Sequence, residues 1–161
     1  MANTQSMCTS FMGELLTATH NFGTAPTRGT STADTFKAAL YLASATVNAS
    51  TTAYSATNEV SGTNYSAGGV TISGSPAWNA PTATTTSTTA GVAFTTPTAS
   101  ITYTNVTLST AFDCVLIYNS TQSNKAVSVH TFGSQTITAG TFTLTMPTNN
   151  TTDALLRLAT T

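Results

Sequence analysis

Between Ser100 and Met146 the chain holds several stretches in which apolar side chains recur at every second position, with threonine often standing between them. Thr141-Phe-Thr-Leu-Thr-Met146 is the clearest stretch. A period of two is the period of a strand with one dry and one wet face, so this half of the chain is restricted to β structure. The spacing predicts strands at Val92 to Thr95, Ser100 to Leu108, Phe112 to Tyr118, Ala126 to Phe132 and Thr141 to Met146, with Leu155 to Leu158 closing the domain. In Cys114-Val-Leu-Ile-Tyr118 both faces are apolar, which predicts a central strand.

Composition extends this inference to the whole chain. Threonine (40) and serine (17) make up 57 of the 161 residues. Threonine is β-branched, suits a pleated surface and is a poor helix former. With 161 residues one domain is expected. Strands at regular spacing predict an all-β, antiparallel β-sandwich or jelly-roll-like domain with an N-terminal arm carrying a short helix.

Residues 1–34 are read as that arm, and 35–161 as the sandwich, with long Thr-rich loops at 43–69 and 74–90. In the arm Phe11, Leu15 and Leu16 follow a possible N-cap at Ser10, which predicts a helix ending near Phe22 and Gly23. An isolated helix this short is marginal in water, so it must dock on its own domain or on another subunit. Phe11, Leu15, Leu16 and Phe22 are the candidate assembly contacts. Phe36, Ala38, Leu40 and Leu42 then mark a strand, and Val70 with Ile72 a shorter one. Gly74 to Ala90, which holds the run Thr82 to Thr89 without any apolar period, is read as a mobile loop.

Charge excludes several functions. Only 6% of the residues are charged, with a net charge of -1. Four basic residues cannot neutralise a phosphate track, which argues against nucleic-acid binding. No apolar run approaches the roughly 18 residues of a membrane helix, and the N-terminus carries no basic and apolar signal segment, so a cytosolic origin and no membrane partner are expected. Cys8 and Cys114 lack a CxxC spacing and are read as free thiols. Six Asn-x-Ser/Thr triplets are about what a chain this rich in hydroxyls produces by chance.

Catalytic chemistry finds little to work with. Glu14, Asp34, Glu59, Asp113 and Asp153 are dispersed without a motif. His20 and His130 are read as a helix-end and a packed residue. No nucleophile elbow, phosphate loop or metal-ligand cluster is present, so no enzyme activity, metal or cofactor is expected. Trp78 and Tyr65, both placed in loops, are candidates for stacking on a sugar ring.

Several segments in order carry a family likeness. Thr35-Phe-Lys-Ala-Ala-Leu-Tyr41, Ala49-Ser-Thr-Thr-Ala-Tyr54, Leu116-Ile-Tyr-Asn-Ser120, Ala126-Val-Ser-Val-His-Thr-Phe-Gly133 and Gly140-Thr-Phe-Thr-Leu-Thr-Met-Pro147 resemble small virion structural proteins of tailed bacteriophages. The most specific part is the loop motif of Asn58, Glu59, Val60, Ser61 and Gly62 with Tyr65, Gly68 and Gly69. The resemblance implies a capsid decoration (cement) protein: non-enzymatic, homotrimeric, made in the host cytoplasm and bound to the major capsid protein on the virion surface. A tail fibre, tip or adaptor component that contacts host glycan is the alternative it leaves.

Overall fold

The computed structural model describes residues 2–22, 33–86 and 89–159. The chain is all-β, with 47% of its residues in strands that form two mostly antiparallel sheets, and it carries one short N-terminal helix. The elements in order are β1 (Ser6–Met7), α1 (Thr9–Leu16), β2 (Phe36–Leu42), β3 (Val70–Thr71), β4 (Thr82–Thr86), β5 (Thr89–Thr95), β6 (Ile101–Asn119), β7 (Lys125–Leu144) and β8 (Leu156–Ala159). They divide into two units. One holds the residues up to His20, Asp34–Thr71 and Thr102–Thr143; the other holds Ile72–Ile101, the C-terminal stretch from Leu144 and the described residues between Asn21 and Ala33.

The first unit is a five-stranded sheet in the order β1-β7-β6-β2-β3. Its centre is β6, where Cys114 to Asn119 are all buried, the structural counterpart of an apolar run without alternation. β2 runs antiparallel to β6, from Phe36 opposite Asn119 to Leu40 opposite Val115, and the register slips by one residue between Tyr41 and Leu42. β6 and β7 are each far longer than the separate strands that periodicity predicts. Ser109-Thr-Ala111 and Gly133 to Gly140 contain no proline, so nothing breaks the extended backbone there.

These long strands are not straight. Phe132 and Phe142 lie ten residues apart on β7, about 33 Å along an extended strand, yet their ring centroids are 5.2 Å apart. Phe112 of β6 touches both, at 5.9 and 5.2 Å. The ribbon therefore curls over an aromatic cluster, to which Tyr103 contributes at 6.1 Å from Phe142. Positive φ at Asn105 (52°) and Ala139 (47°) marks where the two strands absorb the curvature.

The N-terminal residues belong to this same sheet. Ser6 and Met7 pair with Val129 and Ser128, and the Thr4, Cys8 and Thr9 amides donate to the Val47, Val127 and Ala49 carbonyls. α1 begins after Cys8 rather than Ser10, without a side-chain cap. It stops after two turns, six residues short of Phe22, because Ala18 enters the left-handed region (φ 54°) and the Thr19 amide closes onto the Glu14 carbonyl.

The second unit is a three-stranded antiparallel sheet, β4-β5-β8. The threonine run expected to be a mobile loop supplies β4, with Thr82 opposite Phe94 and Thr84 opposite Val92. Hydrophobic period reports burial of a face, whereas pairing needs only backbone, and β-branched threonine pairs well without a buried face. Ser87 and Thr88 of that run lie outside the described residues, as do Gly23 to Thr32 of the arm.

Candidate functional site

The strongest concentration of polar chemistry in the first unit is the loop that carries the Asn58 to Gly69 motif. Glu59 is buried, 9% exposed, in the middle of it. A buried carboxylate must have its oxygens satisfied, and here three donors converge on it. The Tyr54 hydroxyl donates to Oε2 at 2.6 Å, while the Tyr65 hydroxyl at 2.7 Å and the Gly68 amide at 2.8 Å donate to Oε1. The Leu40 amide in turn donates to the Tyr65 oxygen at 3.0 Å, which ties the loop to β2. Every tyrosine of the chain takes part in this region. Tyr118 donates to the Gly68 carbonyl and Tyr103 to the Ala38 carbonyl, each at 2.8 Å, and Tyr41 donates to the Ser55 carbonyl. Two ring pairs stack, Tyr54 on Tyr118 at 4.8 Å and Tyr65 on Tyr103 at 5.9 Å.

Burial pushes the Tyr41 and Tyr118 phenols up to about 12. It pushes Tyr54, Tyr65 and Tyr103 higher still, with the Glu59 carboxylate adding to the effect. All five rings thus stay neutral donors at physiological pH. The glycines fit the same scheme. Gly69 sits at φ +69°, and a Cβ there would stand 1.7 Å from the Ala38 carbonyl oxygen. At Gly62 it would stand 1.9 Å from that of Thr107. Only glycine allows the loop backbone this close to β2 and β6. The motif is therefore a knot that fastens residues 54–69 to the sheet; Val60 is buried, Ser61 exposed, and Asn58 adopts a positive φ of 61°.

A second polar chain runs Lys125–Glu14–His20–Asn119–Asp34. Glu14 accepts from Lys125 at 2.6 Å and pairs with His20 Nε2 at 2.7 Å. Asn119 is fully buried, and its Oδ1 accepts from the Thr121 and Gln122 amides, so its Nδ2 donates to His20 Nδ1 (3.0 Å) and Asp34 (2.7 Å). His20 consequently carries its proton on Nε2, toward Glu14. Partial burial works to raise the Glu14 carboxyl, but the hydrogen bonds from Lys125 and His20 outweigh it and hold the group below the ordinary carboxylate range.

The described residues bring one nucleophile and one base together, Ser128 Oγ and His130 Nε2, 2.9 Å apart on β7. Ser128 is 1% exposed, and burial lowers His130 to about 4, which leaves it a weak base at neutral pH. The shift makes a stability prediction instead. Unfolded His130 binds its proton near 6.5 and folded His130 near 4, so between those values the unfolded chain holds more protons. Stability should fall by about 3 kcal/mol as pH drops through that window. Urea melts at stepped pH check this, and His130→Gln should flatten the dependence. Glu14 adds a separate loss at lower pH, as its depressed carboxyl takes up a proton.

The five carboxylates stay apart, each with partners of its own; Asp113 accepts from Asn3 at 2.6 Å and Asp153 from Asn150 at 2.8 Å. No group of three His, Cys, Asp or Glu is arranged to hold a metal among the described residues. The thiols are buried, and burial pushes Cys8 up to about 11 and Cys114 up to about 12, so both are unreactive in the folded chain.

The candidate assembly contacts separate. Phe11 is 2% exposed, with its ring 4.9 Å from that of His20, and Phe22 is buried with its ring edge-to-face with Trp78 at 4.9 Å. Both belong to their own chain's interior rather than to an open surface. Leu15 is half-buried, and only Leu16, 90% exposed, stands free in solvent. The sugar-stacking expectation is corrected in the same way. Trp78 is 2% exposed and offers no ring face without unpacking, while Tyr65 is half-buried, with its ring stacked on Tyr103 and its hydroxyl held by Glu59.

Sequence reasoning missed the Glu59 knot as a unit. Its signal was there: a lone acid between two tyrosines, the second of them bracketed by Gly62 and Gly68, in a chain with only five acidic residues. No family model matches the chain, and neither a curated protein nor a solved structure matches it.

Proposed function

We propose that this protein is a structural component of a tailed-phage particle, a capsid decoration protein that seats on the major capsid protein lattice and stabilises the head without catalysing a reaction. The observation that carries the reading is the surface of β7 and the segment after it. From Ala126 to Thr152 there is no charged side chain, and Gly133 to Thr136, Thr138, Ala139, Thr141 and Thr143 are exposed. A hydroxyl-covered, charge-free strand surface suits permanent seating at high local density. Its contacts draw on backbone and hydroxyl hydrogen bonds, which salt screens little, and it lacks the charge that keeps free proteins apart. The sequential resemblance through the Asn58 to Gly69 motif supports the phage assignment, and the Glu59 knot gives those residues a rigid framework role.

Copy number tests the proposal. Quantitative mass spectrometry of purified particles should find the protein in amounts comparable with the major capsid protein. A few copies per particle would move it to the tail, and absence from particles would defeat the virion reading.

A further inference from the structure

We draw no further inference here: the strongest candidate, the solvent-facing apolar side of α1 where Met12 is 46% and Leu16 90% exposed, is a two-turn helix face with nothing in the structure to show what covers it.

Discussion

Glu59→Ala should cost on the order of 4 kcal/mol, since leaving a buried donor unpaired costs about 1 to 3 kcal/mol and three donors lose their acceptor together. Those donors are the Tyr54 and Tyr65 hydroxyls and the Gly68 amide. Small domains are stable by only about 5 to 15 kcal/mol, so the variant should be partly unfolded at body temperature. Two controls assign the loss to the carboxylate. Tyr54→Phe removes one hydroxyl and should cost no more than about 1.5 kcal/mol. Glu59→Gln keeps one acceptor oxygen for Tyr65 and Gly68 but turns an amide donor toward Tyr54, and should fall between the other two. Urea melts followed by tyrosine fluorescence and circular dichroism give the three values. An alanine variant within about 1 kcal/mol of wild type would mean that solvent, rather than the loop, satisfies these groups.

The knot explains which parts of the structure could be read in advance. Apolar alternation in the sequence located β2, β6 and β7, although only the first half of β6 buries a face near period two, and the unbroken apolar run of Cys114 to Tyr118 marked the sheet centre. The same signal was silent for β4, which pairs through threonine without an apolar period. It also split β6 at Ser109-Thr-Ala111 and β7 at Gly133 to Gly140, where no apolar alternation runs although the strands continue; in β7 the gap includes the bend at Ala139. The Asn58 to Gly69 motif was legible as a pattern, but its reason was not. That Gly69 lies against Ala38 and Gly62 against Thr107 depends on pairing across 31 and 45 positions of sequence, which no local rule supplies. Trp78 and Phe22 were misplaced on the outside for the opposite reason. Loop sequence around an aromatic suggests exposure, yet a large ring in a loop can equally close a cluster.

Phe11→Ala should destabilise the chain by about 3 to 5 kcal/mol, the usual cost of emptying a buried phenylalanine site. The ring is 2% exposed, and it fixes α1 beside His20, whose neighbour Glu14 reaches Lys125 on β7. The first twenty residues therefore act as part of the sheet unit and not as a free tether. The concentration dependence of the loss decides between a ring packed in its own chain and one that reaches into another copy. In the first case the difference between wild type and variant is the same in dilute and concentrated samples, because the lost contact is intramolecular. In the second, the variant would dissociate before it unfolds, and the difference would grow on dilution. Leu16→Asp is the matching control. At 90% exposure its side chain contributes almost nothing to the folded chain, and the change should stay within about 0.5 kcal/mol. A Leu16→Asp loss as large as that of Phe11→Ala would show that the outer face of α1 is covered, and would return the helix to the role of an assembly contact.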